Sequence, residues 1–270
     1  FKTGKMIWNK IDAARLFAKE FSISAQSLTI QDAWIHAVKD QKLPVNLQVT
    51  KPLPVELLSK IEFPLDIRTI RLLNSHIQYE EIPGMVQPGL ILNISPLNAE
   101  VNHVQNKSFN IYDSLDISGH GRINDMVDAS IRMKQSYNDT SGGFHIEMSI
   151  SPFAANTINP LQQAITKVQI IKGQVDTLHI SANANNNAAF GNIQIHTKGL
   201  AIRAYHENAD VKTPLLTKAK YLMANLFILK KDKTRTADFS VNRKKEKSVF
   251  NFWIKIMLAG LKSAAGIKSN

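Results

Sequence analysis

The chain has 270 residues, 44% apolar and 20% charged, which is enough for a packed core and too apolar for wholesale disorder. Cysteine is absent, and this excludes disulfides, thiolate metal sites and cysteine nucleophiles. The net charge of +11 is unevenly placed: residues 211–270 carry 14 basic and 3 acidic side chains, while residues 1–210 carry 19 of each.

A neutral body over 1–210 therefore bears a basic end over 211–270. No targeting segment is visible at Phe1–Lys5, and no run of 18 or more apolar residues occurs, so no bilayer-spanning helix is expected.

The body reads as strands. Phe21, Ile23 and Ala25 alternate with polar residues and are followed by Leu28 and Ile30, the period of a strand with one buried face. Lys51–Ile61 is a short helix candidate, with Pro54 in its first turn and Pro64 beyond its end. In Leu65–Tyr79 the apolar parity changes between Thr69 and Ile70, which predicts a bend or bulge there. Leu90–Val104 is a further strand region, in which Pro96 predicts an interruption or an edge position.

The clearest β pattern runs from Leu115 to Tyr205. Ala129, Ile131 and Met133 alternate with Ser130, Arg132 and Lys134, and Phe144, Ile146, Met148 and Ile150 with His145, Glu147 and Ser149. Asn138–Gly143 supplies the turn between those two strands. Leu178 and Ile180, then Ile193 and Ile195, then Leu200 and Ile202 continue the pattern as an antiparallel meander. Ser151–Lys167 interrupts it and reads as a short helix or turn, with Pro160 and Leu161 crossing an end of the sheet.

In the basic end, Pro214–Phe227 has a helical pattern, and Asn225–Lys230 with Ala237–Arg243 suggests a hairpin around Lys231–Thr236. Ser248 is placed to cap a helix running to Ile267, with Val249, Phe250, Trp253, Ile254, Met257, Leu258, Leu261 and Ala265 on its apolar face.

No enzyme motif is present: there is no GxSxG, HExxH, GxGxxG or phosphate-binding loop. His145, His179 and His196 occupy polar positions of different strands and could share one outer face, but they lack metal-ligand spacing, so no metal and no cofactor are expected. Glu80 and Glu81 are adjacent on a strand and point to opposite faces, so they do not form an acid–base pair. The run Arg243–Lys247 comes without a nucleic-acid recognition element, and nucleic acid is not an expected partner. Lys244, Lys245 and Lys247 directly precede a helix rich in Phe, Trp, Ile, Met and Leu, the arrangement of an interfacial membrane segment. The same helix could instead cover the open end of the sheet.

Several stretches carry a family likeness: Leu73–Glu81 (LNSHIQYEE), Ser149–Leu161 (SISPFAANTINPL), Ile171–Asp176, Gly191–Leu200 (GNIQIHTKGL) and the end Lys247–Ile267. In these the chain resembles the C-terminal region of the AsmA-like proteins of Gram-negative envelopes, in the form seen in Bacteroidetes-type bacteria. The resemblance implies a non-enzymatic, bridge-like lipid-transfer module in the periplasm, membrane-anchored in its parent and serving outer-membrane lipid homeostasis. It also implies a long twisted β-sheet rolled into an open groove that carries acyl chains.

The expected fold is thus mainly β (α+β): a long twisted antiparallel sheet curled into an open apolar groove, with short helices at its ends and a C-terminal amphipathic helix. A sheet with one apolar face must bury it, and few helices are available to do so. The candidate lining residues are Ala129, Ile131, Met133, Phe144, Ile146, Met148, Ile150, Leu178, Ile180, Ile193, Ile195, Leu200 and Ile202. The candidate contacts for a membrane or the groove end are Lys244, Lys245, Lys247, Phe250, Trp253, Ile254, Met257, Leu258 and Leu261. Expected partners are a phospholipid or other acyl-chain lipid, a membrane surface and envelope proteins. An envelope scaffold whose own helices close the apolar face is the alternative.

Overall fold

A computed structural model describes residues 2–40, 42–44, 46–82, 90–107, 113–159, 168–204 and 232–264. In chain order the strands are β1 (Lys5–Asn9), β2 (Ile23–Gln31), β3 (Trp34–Asp40), β4 (Leu65–Ile82), β5 (Leu90–Gln105), β6 (Ser114–Ile123), β7 (Val127–Ser136), β8 (Phe144–Ile150), β9 (Phe153–Ala154), β10 (Val168–Ala184), β11 (Ala188–Ala204) and β12 (Lys233–Asn242). The helices are α1 (Ala13–Leu16), α2 (Pro54–Ser59) and α3 (Val249–Ala264), with a 3₁₀ turn at Ala155–Ile158. The strands make one open sheet in the order β1-β2-β4-β5-β6-β7-β8-β10-β11-β12, with β3 beside β4 and β9 beside β10. Mainly β, with a C-terminal helix packed on one end, is the architecture that the alternation predicts.

From β4 to β12 every pairing is antiparallel, whereas β2 and β3 both run parallel to β4. Parallel neighbours need a crossover, and α2 lies in the connection that supplies it. Pro54 stands at the start of α2, where its missing N–H costs nothing.

The parity change in β4 is not a bulge at Thr69–Ile70. The register with β5 keeps one offset from Ile67 to Leu72, with Arg68 left unpaired opposite His103 at φ +60, and slips at Ser75, where Asn74 has φ +48. Ile67 and Thr69 are buried, and Ile70, half-buried, packs against the same cluster that holds Ile67. Across from this slip, β5 breaks register with β6 between Ile94 and Leu97. Pro96 thus marks an interruption in an internal strand, not an edge.

The turn between β7 and β8 is built by Asp139, whose Oδ1 accepts the Ser141 N–H at 2.8 Å, and by Gly142 at φ +71. Within Ser151–Lys167 the chain forms β9 and the 3₁₀ turn, while Pro160 and Leu161 lie outside the described residues. Pro214–Phe227 and the first arm of the expected hairpin also lie outside them. Lys233–Thr236, expected in the hairpin turn, are strand residues of β12 paired with His196, Thr197 and their neighbours on β11. The polar side chains of Thr234, Arg235 and Thr236 fit a strand at the edge of the sheet.

Ser248 caps α3, its Oγ accepting the Asn251 N–H at 3.4 Å. The main core cluster lies where α3 covers β10, β11 and β12, with Phe252 and Ile256 against Ile180, Ile193 and Phe239. A second cluster joins β2, β4, β5 and β6 around Leu28, Ile67, Val104, Leu115 and Tyr137.

Candidate functional site

Three cross-strand rows define one face of the sheet. The first runs Leu72, Ala99, Gly119, Ile131, Met148, Ile180, Ile193, Ala237, from β4 to β12. The second runs Ile70, Val101, Ile117, Met133, Ile146, Ala182, Gly191, Phe239. The third runs Leu97, Gly121, Ala129, Ile150, Leu178, Ile195 and ends at Arg235. Phe144 heads a further row through Ala184 and Ala189 to Val241. Side chains alternate along every strand, so residues in register share a face.

The face is covered unequally. Beneath and beside α3, Ile146, Ile180 and Ile193 are fully buried, and Met133, Phe144, Leu178, Ile195 and Leu200 nearly so. Away from the helix, Ala129, Ile131, Met148 and Ile150 are only half-buried, as are Ala99, Gly119 and Leu72. The expected lining residues thus divide into a closed core and an open strip that continues it. Leu200 joins the core beyond the irregular register of β10 and β11, and Ile202 is paired with Ile170 there.

The opposite face is polar. In register across it lie Arg71, Glu100, Ser118, Arg132, Glu147 and Ser181, and beside them Asn98, His120, Ser130, Ser149 and His179. A depression of about 670 Å³ opens on this side. Arg71 pairs with Glu100 at 3.0 Å, and Asn102, the larger influence, together with Arg71 holds the Glu100 carboxyl below its ordinary range. His145, His179 and His196 share this face, but each has its own partner: Asn183 at 3.0 Å, Ser149 at 2.9 Å and Thr234 at 3.1 Å. Among the described residues no three His, Asp or Glu converge as a metal site. Glu80 bonds His36 at 3.0 Å, away from this depression.

The helix differs from its sequence reading. Its buried stripe is Phe252, Ile256, Ala259, Gly260 and Ala264, none of them among the residues expected on the apolar face. Phe250 is 61% exposed and Ile254 37%, while Trp253, Met257, Leu258 and Leu261 are half-buried. Lys244 and Lys245 are exposed ahead of the helix, and Lys247 is half-buried. Arg235 Nη1 donates to the Ala264 carbonyl at 2.6 Å and Ser263 Oγ to that of Asp238 at 2.6 Å, tying α3 to β12. Among the described residues no helix is long and apolar enough to cross a membrane. Comparison with protein-family models, curated proteins and solved structures gives no match.

Proposed function

We propose that this chain is a non-enzymatic module of a Gram-negative envelope, of the AsmA-like kind, that holds acyl chains in the periplasm and passes them between membranes. The observation that carries the reading is the open strip: the apolar rows run from the core beneath α3 through Ile131 and Met148, which pack at its margin and are only half-buried, to the half-buried Ala99 and Leu72. From β4 to β8 the strip spans four inter-strand gaps, about 19 Å at ~4.8 Å each, against ~15 Å for one leaflet's hydrocarbon depth. An acyl chain laid across it gains about 0.8 kcal/mol per buried methylene, with no directional chemistry required. That suits a carrier that must release its cargo.

A second reading has its own support. Complete burial of Ile146, Ile180 and Ile193 under α3 favours a scaffold domain with a closed core that meets envelope proteins. Native mass spectrometry followed by lipid extraction separates the two. Phospholipid-sized adducts released only on denaturation uphold the carrier. An apo mass, under conditions that preserve adducts on a known lipid-binding control, rejects the carrier and leaves the scaffold.

A further inference from the structure

The outward side of α3 carries two exposed apolar residues, Phe250 and Ile254, beside Asn251, Lys255 and Lys262, although the helix already buries an apolar stripe on the sheet. Two residues along a helix turn the side chain by about 200°. Phe252 and Ile256, buried, therefore oppose Phe250 and Ile254, exposed. Leu258 and Leu261 follow at helical spacing but are half-buried and pack against the core, so the exposed apolar surface is Phe250 and Ile254. Phe250 stacks edge-on against the half-buried Trp253 with ring centroids 5.1 Å apart, and Trp253 in turn packs on the core, so the exposed ring at the start of the helix is that of Phe250. A single-sided cover for the sheet would carry polar residues here.

We propose that this outer stripe lies on an anionic lipid bilayer, with α3 parallel to the surface and the sheet standing behind it. Charge selects this occupant. The segment from Lys244 to Ala264 carries Lys244, Lys245, Lys247, Lys255 and Lys262 against one acidic residue, Glu246. The exposed Lys244 and Lys245 sit at the end of the helix where Phe250 projects. Apolar side chains flanked by lysines, with no acid on the helix itself, match an interfacial helix on phospholipid headgroups. This contact does not rest on the acyl-chain strip: a chain that binds vesicles without retaining lipid upholds the one and rejects the other.

The test is co-sedimentation of the full chain with vesicles of phosphatidylcholine, with and without 30% phosphatidylglycerol. Binding is expected to the anionic vesicles and to fall with salt. Lys244→Gln with Lys245→Gln lowers it ~30-fold, at about fivefold per lysine. Phe250→Ser with Ile254→Ser lowers it at least ~10-fold while thermal unfolding barely moves, because neither residue is in the core. Quenching of tryptophan emission by brominated acyl chains, lost in Trp253→Phe, locates the contact at α3 without relying on the first variants. Absence of anionic-vesicle binding overturns the proposal. So does a dimer, seen by light scattering, that the Phe250→Ser/Ile254→Ser variant dissolves, since a second copy then covers the stripe.

Discussion

Arg243, on the last turn of chain after β12, donates through Nη2 to the main-chain carbonyl of Lys51, joining the C-terminal end of the sheet to the segment that leads into α2. The same guanidinium donates through Nη1 to Asn186 Oδ1 at 2.6 Å, and the Lys51 N–H returns to the Lys245 carbonyl at 2.8 Å. Leu53, fully buried, is held at the edge of the main core by this junction. The arginine is 6% exposed, and burial lowers its pKa from the ordinary guanidinium value. Arg243→Met keeps the stem and removes both donors, leaving a carbonyl and an amide oxygen without partners. A loss of about 1–3 kcal/mol in urea unfolding is expected. Lys244→Met, next to it and exposed, should change stability by less than about 0.5 kcal/mol.

Gly260 lets α3 settle on the sheet. A Cβ there would stand 3.3 Å from both Ile193 Cβ and Phe239 Cε1. Gly260→Ala demands a shift of a few tenths of an ångström but gains about 1 kcal/mol of helix propensity, so the two effects nearly offset. Gly260→Leu cannot be seated without lifting the helix, at about 1–3 kcal/mol or more. Denaturant midpoints of the pair measure this. If Gly260→Leu is as stable as the parent, the helix is not seated as described.

What the sequence discloses depends on how each element is covered. β7 and β8 have one solvated face, so Ile131 and Met148 alternate with Arg132 and Glu147 and their faces are readable at once. β2 is buried on both sides, with Ser27 and Leu28 each 7% exposed; its alternation marks it as a strand but carries nothing about its parallel pairing with β4. Lys233–Thr236 hide as turn residues because an edge strand tolerates a polar run. In α3 the apolar residues surround the helix, so periodicity alone could not choose between Phe250 with Ile254 and Phe252 with Ile256. Phe252 and Ile256 could have been found by noticing that Asn251, Lys255 and Lys262 leave room for two apolar stripes. The parity change in β4 falls beside Arg68, left unpaired opposite His103 at φ +60, whereas the register slip at Ser75 leaves no mark in the apolar pattern.

Tyr137 gives the second core cluster a pH limit. Its hydroxyl donates to the His103 carbonyl and accepts the Gln105 N–H at 3.2 Å. Burial, the dominant cause, pushes its pKa up to about 12 from 10. The unfolded chain loses this proton first, so the contribution to stability is complete below pH 10 and declines between pH 10 and about 12. The decline approaches ~1.4 kcal/mol per pH unit for one group. Tyr137→Phe should be less stable at pH 8 but flatter from pH 10 to 11. Equal slopes in the two proteins would show that Tyr137 does not titrate with unfolding.

The acyl-chain strip makes different demands on two isoleucines of the same row. Ile180 is fully buried beneath α3, and Ile131, two strands away, is only half-buried at the margin of the core. A carboxylate at Ile180 has neither partner nor water, so Ile180→Asp should fail to fold or lose more than ~4 kcal/mol. A carboxylate at Ile131 can reach solvent, so Ile131→Asp should fold with a loss of about 1–2 kcal/mol. If acyl chains lie on the strip, the folded Ile131→Asp protein carries markedly less extractable phospholipid than the parent, because the charge would have to be desolvated beneath the chain. Lipid content that is unchanged in folded Ile131→Asp, measured on the same preparations by circular dichroism and extraction, removes the strip as the lipid site.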